Sequence, residues 1–526
     1  MIQPQTQHPD YWGSEFKITD SDIEQIYNHF LEVEKPQTVE QIALVIIAHR
    51  LAEENTRIER LLADRIIYQP KKSYETGNQL VFPVMKFAHG EVTAVREGFN
   101  PSFGKFNVIQ VDIKNKQREF AADLDIEHPL NLADENLKVA TGEDEVEDLY
   151  DLYGYDIEEN IAAAMSEREE FMRLGRRWFV TALMADVNVG HLHLSQAILE
   201  MYEGGPLPVS EILPHLDMDS GVDTSVQAFS LNYALLEDER FDEVAPKGRV
   251  AWFLHSLEPD EVKNTPERLV YDPISYDHAL LSPQLKLLER ELDDEWSEIE
   301  PDSGSQPVVF TLMYPHRYVG ALPLSSRIRP LFPLSNSPRQ RAVLIDDKTG
   351  EEIVTWIVKE GRYIYGLKDW YDTNEIPIGG FVHLTPDPES GAIKIGFDRR
   401  KAQREWVRLA TVSDNRIKFE LMRRAVACGY DDLLVVGTDV VAAIDALWRR
   451  VDSHQRSVAS LLAEIFPELA ELNPQHTVHA KTLYSAINML KRLPPGPVFA
   501  ELVRNPAFQP VGDHYWRFDR SQWQKE

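Results

Sequence analysis

Hydrophobic positions fall at helical spacing from residue 19 onward. In TDSDIEQIYNHFLEV, Ile23, Ile26, Tyr27 and Phe30 share one face behind a run of capping residues, and Pro36 ends the segment. TVEQIALVIIAHRLAEENTRIERLLAD follows, with Thr38 and Gln41 as a capping box, and predicts a long second helix. The period then drops to two. QLVFPVMKF, GEVTAVREG, KFNVIQVDI and REFAADL, between 75 and 125, predict short strands parted by glycine-containing turns, enough chain for one small barrel. Helical spacing returns in HLHLSQAILEMYEGGPLPVSEILPHL and, capped by Thr224, in TSVQAFSLNYALLED; RFDEV and RVAWFL then predict a hairpin across Ala-Pro-Lys-Gly. Residues 306–398 read VVFTLMYP, RAVLIDD, EIVTWIVKE, RYIYGL, GGFVHL and AIKIGF, a second all-β stretch able to close as a barrel. The chain ends much as its middle does, with TVHAKTLYSAINMLKRL as a helix and AFQPVGDHYWRF as a hairpin.

These changes of period divide the 526 residues. They predict an N-terminal helical region (1–70), a small SH3-like or OB-like β-barrel (71–128), an acidic linker or arm (129–170) and a helical module with a hairpin (171–288). A second acidic linker (289–305), a β-barrel (306–398), a basic-then-helical connector (399–473) and a C-terminal helix-and-hairpin domain (474–526) complete the expected order. The class expected is α+β and multi-domain.

Charge sharpens the picture. The net charge of −31 is unevenly spread: residues 306–526 carry 29 Lys+Arg against 26 Asp+Glu, which leaves 26 against 60 for residues 1–305. Phosphate repels the first half and can be met by patches on the second. Residues 119–170 hold 18 acidic residues and two basic ones, and ERELDDEWSEIEPDSGSQP forms a second acidic run. The acidic stretch 119–302 is therefore expected to face a basic protein partner, such as a polymerase or another nucleic-acid enzyme, and residues 306–526 to contact DNA. The longest apolar run, ALVIIA, is too short for a membrane span, so no membrane is expected. No secretory signal is visible, and a single cysteine, Cys428, excludes an internal disulfide and a multi-cysteine zinc site; a cytoplasmic location follows as the expectation.

The segment AILEMYEGGPLPVSEIL, then SLNYALLEDERFDEV, then the strand ending WFL resembles the HARE-HTH winged-helix family. TVHAKTLYSAINMLKRL with AFQPVGDHYWRF resembles the same family more loosely, because PPGPVFAELVRN lies between helix and hairpin. LPLSSRIRPLFP, its strands, and YIYGLKDWYDTNEIPIGGFVHL are similar to the DNA-binding pseudobarrel of plant transcription factors and some restriction-enzyme effector domains. The N-terminal barrel, through GEVTAVREGFNPSFGKFNVIQVDI, resembles SH3-like barrels. Together these resemblances imply winged helix-turn-helix modules combined with small β-barrels, and a DNA- or transcription-associated accessory protein. A pure protein-interaction scaffold is the alternative, because the first winged-helix copy has no Lys or Arg between 216 and 239.

The pseudobarrel resemblance implies Arg327, Arg329, Arg339 and Arg341 as arms on a duplex. Residues 394–424 carry ten basic and four acidic residues; Arg399, Arg400, Lys401 and Arg404 suit a phosphate backbone, or the chain's own acidic runs, and Trp406, Val407 and Leu421 give the stretch an apolar face. In the C-terminal copy His479, Lys481, Ser485, Asn488, Lys491 and Arg492 lie on or just beyond the predicted third helix. Catalytic chemistry, a cofactor and a metal are not expected. GFNPSFGK fails as a phosphate loop by its spacing and by Phe106, and its Phe99, Phe103 and Phe106 are expected as core or lid. His191 and His193 lack a third ligand nearby, and Cys428 reads as a buried thiol.

Overall fold

The computed structural model describes residues 6, 9–13, 15–62, 65–85, 87–132, 142–300, 307–388 and 390–524. The protein is mixed α/β with several separate sheets, and falls into two compact units, Met1–Val187 with Asp217–Tyr233, and Asn188–Leu216 with Ala234–Glu526. No helix among the described residues is long and apolar enough to cross a membrane.

The first unit begins with α1 (Pro9–Trp12), α2 (Asp20–Val33), β1 (Gln37–Thr38) and α3 (Val39–Leu62). Thr19 caps α2 in a reciprocal box with Asp22, and the Thr38 amide donates to Gln41 Oε1 at 2.9 Å. A five-stranded sheet follows in simple order: β2 (Ile66–Ile67), β3 (Gln79–Phe82), β4 (Ala88–Asn100), β5 (Gly104–Ile113) and β6 (Lys116–Ala122). It curls until its ends meet, with Leu124 N donating to Pro70 O at 2.9 Å and Tyr68 Oη to Ala121 O at 2.6 Å. Phe99 and Phe103, expected as core or lid, stand exposed at the tip of the β4–β5 hairpin.

The expected acidic linker 129–170 contains instead a 24-residue helix, α4 (Glu143–Ser166). Its carboxylates line the solvent side. Ile157, Ile161 and Met165, spaced four apart, enter a core with Ile26, Phe30, Ile42, Ile46 and Phe179. Three such side chains contribute roughly 1.5–3 kcal/mol each, more than the repulsion among solvated carboxylates removes. Then β7 (Phe171–Leu174) and β8 (Arg177–Val180) form a hairpin whose second strand pairs with β1, so Gln37 faces Trp178.

The connection recurs. After α5 (Val189–Met201), Leu207 bridges to Trp252, α6 (Val209–Ile212) and α7 (Thr224–Leu236) follow, and β9 (Phe241–Glu243) pairs with β10 (Trp252–Leu254). The expected module 171–288 is nevertheless not one body. β7 and β8 belong to the first unit, as does Asp217–Tyr233, whose Val226 and Phe229 join that unit's core.

Past α8 (Asp260–Lys263) and α9 (Pro283–Leu292), the second unit builds a seven-stranded sheet. Its members are β11 (Val308–Thr311), β12 (Ala321–Pro323), β13 (Arg339–Asp346), β14 (Glu352–Val358), β15 (Tyr363–Tyr365), β16 (Phe381–Pro386) and β17 (Ile393–Phe397). They run in the order β11-β16-β17-β13-β14-β15-β12, a half-barrel in which only the β13–β17 pair is parallel. Two short helices, α10 (Tyr314–Val319) and α11 (Lys368–Thr373), sit in its connections. The second expected linker is also structured: Asp293, Asp294 and Glu295 are buried, and residues 301–306 lie outside the described residues.

A long hairpin, β18 (Arg399–Ser413) and β19 (Arg416–Cys428), leads through β20 (Gly437–Thr438) to α12 (Val441–Ser453) and α13 (Val458–Ala470). Then come β21 (Val478–His479), α14 (Ala480–Ile487), α15 (Pro495–Arg504), β22 (Phe508–Gly512) and β23 (Tyr515–Phe518), with sheet order β21-β23-β22. The predicted third helix thus stops at Ile487, and PPGPVFAELVRN, expected as an interruption, forms the third helix. Prolines at 494, 495 and 497 favour its first turn, where no amide needs an intrahelical partner. Three times, then, a helix leads into a short extended piece (a strand in the first and last cases, the single bridging residue Leu207 in the middle one), further helix and a hairpin whose last strand pairs back to that piece.

Candidate nucleic-acid interface

Of the four arginines predicted as duplex arms, three hold the second unit together. The Arg341 amide donates to Val244 O at 2.8 Å and its guanidinium to Gly205 O at 2.7 Å, over the rings of Phe253 and Trp356. Gly205 has φ +112°, and a Cβ there would stand 2.5 Å from Trp252 O, so only glycine fits beneath this contact. Arg339 Nη1 lies 3.0 Å from Glu258 Oε2, 3.3 Å from Asp242 Oδ2 and 3.2 Å from His255 Nδ1. Those three residues have metal-ligand chemistry, and the guanidinium fills the place a cation would take. Burial, reinforced by the Asp242 charge, pushes the Glu258 carboxyl up to about 7 against the pull of Arg339. Arg327 pairs with buried Asp293 at 3.0 Å, while Arg329 alone is exposed.

The residues predicted on the C-terminal copy are displaced inward. His479 is buried, accepts the Lys481 amide, and is depressed to about 4 by burial and by the nearby His514 and Lys481 charges. Lys481 is buried between Glu291 and Asp431, Ser485 accepts from Val435 N at 3.1 Å, and Asn488 donates to Tyr484 O and Leu493 O. Arg492, 2% exposed, reaches Asp294 and Glu295 at 2.7 Å each, so these two carboxylates of the second acidic run are paired inside the unit. Lys491 lines an open cavity of about 630 Å³ with Arg456 and Arg504, whose charges are met by Glu464 and Glu501. Lys491 apart, these side chains are buried, α14 being covered all round, and a duplex has no access to them in this conformation.

The β18–β19 ribbon differs. Gln403 pairs with Val426, Glu405 with Arg424 and Val407 with Met422, and Val407, Leu409 and Val426 turn inward to form a small core. Alternation puts Arg404, Trp406 and Arg408 on the opposite face, across from Ala425, Arg423 and Leu421. Trp406 and Val407, expected to share an apolar face, therefore point in opposite directions. Arg399 is held by Asp347 at 2.6 Å, Arg400 by Glu405 at 3.0 Å, Arg424 by Asp439, and Arg408 donates to Asp432 O. Lys401, Arg404 and Arg423 are exposed, with no ion pair among the described residues. Trp406 is 66% exposed, the one exposed tryptophan of ten.

No family model, curated protein or solved structure matches this chain. Arg423 went unnamed among the sequence-predicted contacts, although strict alternation across the turn at Asp414-Asn415 places it opposite Trp406. Cys428 at the ribbon's base is buried and its thiol is pushed up to about 11, which leaves it unreactive.

Proposed function

We propose that the chain is a DNA-associated accessory protein that meets nucleic acid through the outward face of the β18–β19 ribbon. The observation that supports this most is the pair Arg404 and Arg423, exposed and unpaired beside an exposed tryptophan, with a third exposed and unpaired cation, Lys401, further along β18. Unpaired cations at a surface release counterions from phosphate on contact; cations already bound to carboxylates do so far less. The threefold connection of helix, short strand, helix and hairpin we read as winged-helix repeats used as scaffold. In the last repeat the third helix is packed inside the unit, and in the first the corresponding α4 presents carboxylates, which suits a basic protein partner. The test is binding of the full chain to a labelled oligonucleotide across a salt series. Replacing Lys401, Arg404 and Arg423 by glutamine should reduce the salt slope by about 2–3. Absence of binding at low salt refutes the reading.

The second reading, a protein-interaction scaffold, is favoured by one observation: Leu152 and Tyr155 stand exposed among the carboxylates of α4. It would be preferred if the wild-type chain bound no nucleic acid.

A further inference from the structure

Resting on the nucleic-acid reading above, we infer that the ligand of the ribbon is a single strand, with an unpaired base stacked on the Trp406 indole and its phosphates met by Arg404 and Arg423. The indole is 66% exposed, whereas every other tryptophan of the chain is buried or half-buried. No aromatic ring among the described residues packs against it. Arg268 lies over Trp448 at 4.2 Å and Arg362 over Trp296 at 4.6 Å, but no guanidinium among the described residues covers Trp406, although Arg423 stands directly opposite. The outward positions 404, 406, 408, 421, 423 and 425 include no carboxylate. Glu405, the nearest one, is turned to the other face and engaged by Arg400 and Tyr430.

An aromatic face bordered by two cations selects for a ligand that is both anionic and flat. Bases in a duplex are already stacked on one another and offer only their edges to a surface side chain; a single strand can give up one π-face to the indole. Arg404 is the same-face neighbour of Trp406 along β18, about 7 Å away, and Arg423 is its partner across the ribbon, about 5 Å away, so the two guanidiniums border the indole along the strand and across it and reach phosphates next to a base seated there. Leu421, exposed on the same face, extends the apolar platform by one position.

The experiment uses the full chain and fluorescence anisotropy with labelled oligothymidine and a labelled duplex of equal length. The single strand should bind more tightly. Trp406→Ala should weaken it about tenfold or more and leave duplex binding unchanged, while Trp406→Phe keeps most of the affinity. Arg404→Gln with Arg423→Gln should lower the single-strand salt slope by about 1.4. Circular dichroism of each variant checks that the ribbon still folds. Equal or tighter duplex binding, indifferent to Trp406→Ala, overturns the single-strand inference and leaves the nucleic-acid reading standing. Failure of the wild-type chain to bind either probe at low salt overturns both.

Discussion

Replacing Arg492 by methionine tests whether the acidic run after α9 is a structural element of the second unit. Arg492 is buried, and its guanidinium makes four contacts: Asp294 and Glu295 at 2.7 Å, Leu493 O at 2.8 Å and Asn488 Oδ1 at 3.2 Å. Glu295 has a second partner in His316 Nε2 at 3.1 Å, and Asp294 accepts from Tyr484 Oη at 2.6 Å. Burial drives the Glu295 carboxyl up, but the Arg492 and His316 charges outweigh it and hold the group at about 2; Asp294 is raised by burial despite the same arginine. One guanidinium thus serves two buried carboxylates at the same 2.7 Å. Removing it strands a buried carboxylate, which costs about 3–5 kcal/mol, with the lower end expected because Asp294 can take up a proton. Urea unfolding followed by circular dichroism should show that loss in the second unit's transition, and adding Glu295→Gln to Arg492→Met should restore part of it. Arg404→Met, on the surface, should stay within about 0.5 kcal/mol of wild type. An Arg492→Met protein within about 1 kcal/mol of wild type would refute the argument.

Acid sensitivity gives a second test. The unfolded chain protonates His479 below about pH 6.5, and the folded chain refuses that proton until about 4, so stability falls as pH drops through this window, by up to about 1.4 kcal/mol per unit. His479→Gln, which keeps an acceptor for the Lys481 amide, should flatten that slope in a pH series of thermal melts. Glu258 runs the other way: its raised carboxyl makes the folded state bind the proton more tightly, so its contribution to stability is lost as pH rises from the ordinary carboxylate range to about 7. Arg339→Met, which removes the cation from that cluster, should deepen this loss and cost about 3–5 kcal/mol at pH 8, measured by urea titration at pH 5 and 8. Ile157→Ala should cost about 2–5 kcal/mol while Tyr155→Ser, on the outer face of the same helix, changes stability by less than about 0.5; equal effects would mean that α4 is not packed as described.

Regular periodicity was legible and its context was not. Most strands of both β stretches lie where the sequence placed them; β11 alternates buried and exposed positions, while short buried strands such as β15 (Tyr363–Tyr365) are marked by their β-branched and aromatic residues and by the turns around them. α4 was hidden by composition: 18 carboxylates between 119 and 170 suggested a solvated arm, yet the stripe 157, 161, 165 needs only one face of the helix. The C-terminal basic residues misled for a different reason. Lys481 and Arg492 look like phosphate ligands in a linear count, and their partners, Glu291, Asp294, Glu295 and Asp431, are supplied by segments far away in the chain. Pairing across that separation is a property of the fold, so charge clustering alone overstated the site. On the ribbon, Arg399 and Arg400 are likewise paired, while Arg404 stays exposed because it alternates with the Trp406 indole on a strand whose register the Asp414-Asn415 turn fixes.

The barrel of the first unit lies between α3 and α4, and this has a consequence for synthesis. β1 at residues 37 and 38 is paired only when residues 177 and 178 have been made, and Ile42 and Ile46 of α3 share their core with Ile157 and Ile161. During translation the barrel can close first, from neighbouring strands, while α2 and α3 wait with apolar faces uncovered. A ribosome stalled after the barrel would therefore display a folded bead on a sticky helical pair, and it is at that length that a nascent chain of this protein should depend most on a chaperone.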